Sequence, residues 1–344
     1  STDSTTLPQN IAEMALTPQE AIMKVSGSIF PTVDIRDHLE DSRTNLNKFI
    51  ETHLVGDLVM KGNGDIEFNT NFDKTPIRSY GKDKHNTEGA IEIFSLPQID
   101  RTINRPYSNR YIGGIDPIDN DYTETGSLGS IFIFDLWTDE IVAEYTGRPQ
   151  LADDFYEICR RMLIYYNAVG NYENNIKGLF GYFNNKSALN LLCDTPSYLR
   201  DIEEQKQNLF GNRAKGTRTT TGVIADGLRL QKTWMLSNHD YINEKDEEIK
   251  TINLRRVRSL GYLEELYEFN ADGNFDRVSA MNMVMILRQD RLKITQSITG
   301  ENNLPYVEED SFIRDNYDIK IDFDKYSEML NKEIQEKKEI RYEI

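Results

Sequence analysis

The stretch Tyr111-Ile112-Gly113-Gly114-Ile115-Asp116-Pro117 constrains this chain most. It reads as a short buried strand that stops on a carboxylate. Asp116 ends the apolar run, and Pro117 removes the next ladder donor. The segment 118–126 is acidic and turn-rich, and a second strand follows over Ser127–Asp135. A carboxylate at the tip of a central strand, beside an antiparallel neighbour, is a place to hold a divalent cation. Taken alone, the same residue is also an ordinary turn aspartate. The rest of the chain decides between these readings.

The elements that follow set the fold. A third strand runs over 140–145, after a turn at Trp137-Thr138-Asp139. A helix is expected from Leu151 to Asn167, because Phe155, Ile158, Met162 and Tyr165 fall on one face at spacings of three and four. A strand over 168–173 then ends in a second carboxylate, Glu173. A helix near 176–185 and a strand over 188–193 come next. Three hairpin strands, a helix, and then strands alternating with helices is the order of an RNase H-like mixed sheet flanked by helices. Asn274 is the expected N-cap of a late helix that is apolar almost all round through Leu287, and is therefore buried. Asp276 lies in its first turn, where a carboxylate suits the helix dipole.

The region before residue 107 has another character. Thr17-Pro18 followed by Glu20 signals a helix start, and residues 34–55 read as a polar helix with Ile35, Leu39, Leu46 and Phe49 as a sparse stripe. Leu58-Val59-Met60 and Ile66-Glu67-Phe68 flank a turn and read as a hairpin. The expected division is a connector over 1–106, a catalytic domain over 107–300 and a tail over 301–344 that carries a charged helix from Lys325.

Composition excludes some classes and complicates others. No apolar run among the 344 residues approaches the roughly 20 needed to span a membrane, and no signal peptide is expected at the start. Two cysteines without a CxxC pair fit a reducing compartment and argue against zinc. The net charge of −17 argues against a nucleic-acid partner unless basic residues gather locally. They do so over Gly211–Gly222, with three basic residues, three glycines, four threonines and no acid. Glycines let a backbone approach phosphate, threonines donate, and cations neutralise. Arg213, Lys215, Thr217 and Arg218 in this loop, with Arg229 and Lys232 on the next helix, are the candidate DNA contacts. Leu254–Arg258 adds a second basic cluster.

Asp116, Glu173 and Asp276 end a first strand, end a later strand and begin a late helix, three places that an RNase H-like sheet brings to one edge. Two carboxylates about 4 Å apart repel by roughly 4 kcal/mol at an effective dielectric near 20, so such a cluster calls for a cation. Oxygen-only ligands select Mg²⁺ or Mn²⁺. Two ions bridged by Asp116 suit in-line phosphodiester hydrolysis. Asp119, Asp121 and Asp272 are further candidate ligands, and Asp272 competes with Asp276 for the third place.

Four stretches carry a family resemblance: Leu16–Ala21 (LTPQEA) with Phe30-Pro31, Tyr111–Asp116 (YIGGID), Tyr165–Asn175 (YYNAVGNYENN) and Asn274–Ala280 (NFDRVSA). In this order they resemble the C-terminal nuclease part of the large terminase subunit of tailed bacteriophages, the crAss-like branch among them. The resemblance spans residues 14–290. It implies an RNase H-fold, metal-dependent endonuclease that cuts concatemeric double-stranded phage DNA during genome packaging. It implies Asp116, Glu173 and Asp276 as catalytic metal ligands. It also implies the portal protein, the small terminase subunit and an ATPase part of the same polypeptide as partners, in the host bacterial cytoplasm. The phosphate-binding loop of that ATPase, G-x-x-x-x-G-K-[ST], has no match here. Gly81-Lys82 is followed by Asp83, and Lys186-Ser187 is preceded by Asn185. The expectation is thus a nuclease portion without ATPase motifs. Two alternatives stand beside it: a non-cleaving DNA-binding or motor-coupling module, and another RNase H-like nuclease such as a resolvase or transposase, which LTPQEA and the β-rich connector disfavour.

Overall fold

The expected strand–strand–strand–helix–strand order is present in the computed structural model, which describes residues 28–46, 50, 53–62, 64–71, 73–79, 86–118, 127–199, 215–239, 241–242, 248–270 and 273–299. Helix α1 (Thr32–Thr44) leads to β1 (Leu54–Met60), β2 (Ile66–Thr70) and β3 (Ile91–Ile93). A small hairpin, β4 (Ile99–Asp100) and β5 (Arg105–Pro106), precedes β6 (Tyr111–Asp116), β7 (Gly129–Asp135) and β8 (Glu140–Gly147). Then come α2 (Ala152–Tyr166), β9 (Val169–Tyr172), α3 (Gly178–Asn185) and α4 (Thr221–Leu236). The pair β10 (Tyr241–Ile242) and β11 (Glu248–Ile249), helix α5 (Leu260–Glu268) and helix α6 (Asp276–Thr299) complete the order.

One seven-stranded sheet runs β2-β1-β3-β8-β7-β6-β9. The strands β6, β7 and β8 pair antiparallel, and β9 returns beside β6 in parallel, with Ile112 opposite Val169 and Ile115 opposite Tyr172. A parallel return needs a crossover, and α2 supplies it. This is the mixed RNase H-like sheet that the sequence predicts. The strands β1, β2 and β3, read from sequence as part of a connector, extend the same sheet, since β3 pairs with β8.

Two adjacent glycines let helices lie close on both faces of β6. A Cβ on Gly113 would stand 2.7 Å from Leu163 Cδ2 of α2, and one on Gly114 would stand 2.5 Å from Val284 of α6 and collide with the Ala280 carbonyl. Successive strand residues face opposite sides, so the pair thins the sheet for one helix on each side. The core is split accordingly. Ile112, Phe132 and Phe134 pack with α4, α5 and α6, whereas Ile115, Ile131 and Ile133 pack with Phe155, Cys159, Met162 and Leu163 of α2. No helix among the described residues is long and apolar enough to cross a membrane.

The structure departs from expectation at four places. The helix expected over 34–55 is broken: α1 spans Thr32–Thr44 and ends at Asn45, Leu46 and Ile50 are helical again, and β1 has begun by Leu54. The strand expected over 188–193 is a 3₁₀ turn, Leu189–Leu191, followed by a single bridge from Leu192 to Gly170. Segment 215–217 takes the rest of that edge, with Thr217 bridged to Glu173. Asn274 does not cap α6. Its amide donates to Asp276, and Glu265 of α5 accepts from the Arg277 and Val278 amides instead. Helix α6 continues beyond Leu287 to Thr299. The expected helix at Thr17, and the tail 301–344, lie outside the described residues.

Candidate active site

Asp116 and Glu173 stand at the same end of neighbouring parallel strands. The ladder pairs Ile115 with Tyr172, so each acid is the next residue along, and the Glu173 amide donates to the Ile115 carbonyl at 3.4 Å. Alternation puts Asp116 on the face of Gly114, under α6, and Glu173 on the face of Asn171. The Asn171 amide donates to the Met283 carbonyl of α6 at 3.0 Å, which fixes the helix over this face. Ala280 lies against Gly114, and Asp276 is one helical turn before Ala280.

Asp276 is held at that edge by the entry to β7. Its carboxylate accepts from the Ser127 hydroxyl at 2.8 Å, the Leu128 amide at 3.0 Å and the Asn274 amide at 2.9 Å. Ser130, two residues beyond Leu128, pairs with Asp116. The Arg148 guanidinium in turn donates to the Ser127 carbonyl. Glu173 is gripped through one oxygen: Oε1 accepts from the Thr219 hydroxyl and from the Asn175 amide at 3.2 Å. Among the described residues, no donor hydrogen-bonds the Asp116 carboxylate.

The electrostatics follow from this. Burial, and then the charges of Asp276, Glu173 and Glu265, push the Asp116 carboxyl well above its ordinary value. Burial raises Asp276 as well, opposed by its hydrogen bonds to Ser127, Leu128 and Asn274 and by Arg277. Behind Asp276 lies a buried ion cluster. Arg277 is 1% exposed and donates to Glu144 at 2.6 Å, to Glu265 at 2.9 Å and to the Ile77 carbonyl. Burial pushes Glu265 up to about 7, against the pull of Arg277. Thr146 links Glu144 to Ser130 through its hydroxyl.

Among the described residues, no three His, Cys, Asp or Glu side chains form a ready-made metal site. Glu173 and Asp276 are turned onto protein donors instead. The donor set nevertheless fits a hard divalent cation: it offers carboxylate oxygens alone, and an elevated Asp116 is relieved by positive charge.

The candidate DNA contacts fare differently. Arg218 is exposed and Lys232 half-buried. Lys215 donates to the Leu192 carbonyl at 2.8 Å and pairs with Asp194 at 3.1 Å, and Arg229 pairs with Asp226 at 2.5 Å. Thr217 is a correction: it is fully buried and its hydroxyl donates to Asn171 at 3.0 Å, so it cannot donate to phosphate. The second basic cluster is structural, with Arg256 and Arg258 on Glu140 and Arg255 on Asp41. Asp119, Asp121, Asp272 and Arg213 lie outside the described residues. Sequence reasoning missed Ser127, Arg148, Asn175, Glu144, Glu265 and Arg277. The signal for Glu144 was visible: a charge inside the apolar alternation of a strand needs a buried partner.

No family model matches the sequence, and no curated protein matches it. Solved structures similar to it include two of one phage nuclease and one of another. The large terminase nuclease from thermophilic phage G20c shares 11% identity over 61% of this chain and 92% of that one, with a TM-score of 0.27. The same nuclease with bound magnesium shares 13% over 62% and 93%, with a TM-score of 0.28. The Thermus phage P74-26 large terminase nuclease domain shares 14% over 58% and 95%, with a TM-score of 0.23.

Proposed function

We propose that this chain is a metal-dependent endonuclease that hydrolyses phosphodiester bonds of double-stranded DNA, with Asp116, Glu173 and Asp276 as its catalytic acids. The observation that carries the reading is the convergence of two strand-ending acids and one helix-starting acid at one sheet edge, in the order of the motifs YIGGID, NYENN and NFDRVSA. Those motifs point further, to phage genome packaging in the host cytoplasm, beside a portal, a small terminase subunit and an ATPase. The catalytic unit would be residues 107–300.

Asp116, Glu173 and Asp276 would hold Mg²⁺ or Mn²⁺, as one or two ions. Such a cation, when bound, supplies an activated water and stabilises the departing 3′ oxygen. The chain's own residues do the positioning. Ser127, Leu128 and Asn274 fix the Asp276 carboxylate, and Arg148 fixes Ser127. Arg277, clamped between Glu144 and Glu265, anchors the first turn of α6 from behind. Arg218 and Lys232 are the cations with which the chain would neutralise phosphates.

The test is supercoiled plasmid incubated with the chain in Mn²⁺, in Mg²⁺ and in EDTA, with Asp116→Asn alongside. Metal-dependent cutting that the variant lacks is the expected result. A variant that cuts at the wild-type rate overturns the assignment of Asp116. The second reading, a non-cleaving DNA-binding or motor-coupling module, is favoured by the net charge of −17 and by the protein donors on Glu173 and Asp276. DNA retention without cutting in any metal supports it.

A further inference from the structure

Segment 217–219 is laced onto the chain that carries Glu173. The Thr217 amide donates to the Tyr172 carbonyl at 2.9 Å, and the Asn174 amide donates back to the Thr217 carbonyl at 2.9 Å. The Thr217 hydroxyl is fixed inside on Asn171. Two residues on, the Thr219 hydroxyl donates to Glu173 Oε1. The Asn175 amide closes the knot, reaching the Thr219 carbonyl at 3.0 Å, the Thr219 hydroxyl at 2.8 Å and Glu173 Oε1. Thr220 then caps α4 through the Val223 amide. Arg218 is exposed and sits between the two anchored threonines.

We infer that Thr219 is a positioning residue: with Asn175 it clamps one oxygen of Glu173, directs the other to the acid cluster, and ties that carboxylate to the segment whose exposed cation is Arg218. The inference rests on the acids being a metal centre, as proposed above, but the clamp is a property of the metal-free chain. A glutamate carries three rotatable side-chain bonds, and holding Oε1 removes much of that freedom before an ion arrives. Residues that orient a metal ligand in this way change metal affinity by about 10- to 100-fold when lost. The arrangement also places Arg218 one peptide bond from Thr219, whose hydroxyl is hydrogen-bonded to Glu173. A polyanion drawn to Arg218 lies one residue from the hydroxyl that holds the ligand.

The experiment compares the full chain with Thr219→Val, which keeps the shape and removes the donor, and with Thr219→Ser, which restores it. Mn²⁺ affinity, read from free Mn²⁺ by EPR, is expected to fall about 10-fold in Thr219→Val and to return to within about 2-fold of wild type in Thr219→Ser. In the metal-free chain, the Glu173 side-chain carboxyl ¹³C resonance, assigned with Glu173→Gln, is expected to move in Thr219→Val and to stay in Thr219→Ser. Unchanged Mn²⁺ affinity in Thr219→Val, with wild type binding Mn²⁺, overturns the positioning role. An unmoved resonance overturns the clamp itself. A resonance that moves while wild type binds no Mn²⁺ overturns the metal reading and the positioning role together, and leaves the clamp as a structural bond.

Discussion

Gly114 of β6 lies directly against Ala280 and Val284 of α6, with no room for even a methyl group between them. That contact sets how far the first turn of α6, and therefore Asp276, stands from Asp116. Gly114→Ala should force the helix away from the strand and cost about 3 kcal/mol, the upper range for overpacking. Gly113→Ala should cost about 1 kcal/mol, because its obstacle is the flexible end of Leu163. Urea unfolding of the two variants checks the order. A Gly114→Ala protein as stable as wild type would mean that the helix does not bear on the strand there.

Arg277 is the next residue to Asp276 and serves two buried carboxylates. Removing it strands both. Arg277→Met should destabilise the fold by about 3–5 kcal/mol, the range for breaking one side of a buried ion cluster. A midpoint of denaturant unfolding within experimental error of wild type would contradict this.

Two lysine and arginine positions that look alike in the sequence should behave differently. Lys215 is bound to Leu192 and Asp194, so Lys215→Ala should lower the melting temperature and leave the salt dependence of DNA binding unchanged. Arg218 is exposed, so Arg218→Ala should reduce the slope of log K against log salt by about 0.9, one phosphate contact. Binding titrations on one duplex at several salt concentrations separate the two. Equal slopes for wild type and Arg218→Ala would remove Arg218 from the interface.

Glu157 of α2 gives a pH signature remote from the acids. Burial opposes its charge, but hydrogen bonds from Arg160, Arg161 and Tyr182 outweigh burial and lower its carboxyl to about 2 from an ordinary 4.5. A depressed folded-state value contributes stability that is fully present above the unfolded value and is lost as pH falls through the folded one. The shift corresponds to roughly 3 kcal/mol; discounted for solvent screening of these partly exposed groups, Glu157→Gln should be less stable than wild type by about 2 kcal/mol at pH 7, and the difference should shrink between pH 4.5 and pH 2. A gap that stays constant across that window would show that the charge is not what the arginines hold.

The strands, the crossover helix and the two strand-ending acids were legible because they rest on local signals. Asp116 is marked by an apolar run stopped by proline, and α2 by a one-sided stripe. What the sequence hid is pairing between distant segments. That Glu265 of α5 caps α6 in place of Asn274 cannot be read from a capping pattern, because the acceptor lies on another helix. Thr217 and Thr219 look equivalent in a glycine-threonine loop, yet one is buried on Asn171 and the other grips Glu173. Two residues apart, both face the same side; the difference is which residue each meets, Asn171 inside the sheet for Thr217 and Glu173 just beyond the end of β9 for Thr219. The 3₁₀ turn at Leu189–Leu191 replaced an expected strand for a related reason: two separate segments share that edge, and neither is long enough to form a ladder.

The sheet also works as a built-in ruler. Its outermost strand β2 is five strand spacings from β6, or about 24 Å at 4.8 Å per spacing. A spectroscopic label at exposed Glu67 or Asn69 would sit at that fixed remove from Asp116, on the same rigid ladder but beyond reach of its chemistry. Distance measurements from such a label to a spin-bearing ion would locate the ion along the strand order without altering a single residue near the acids.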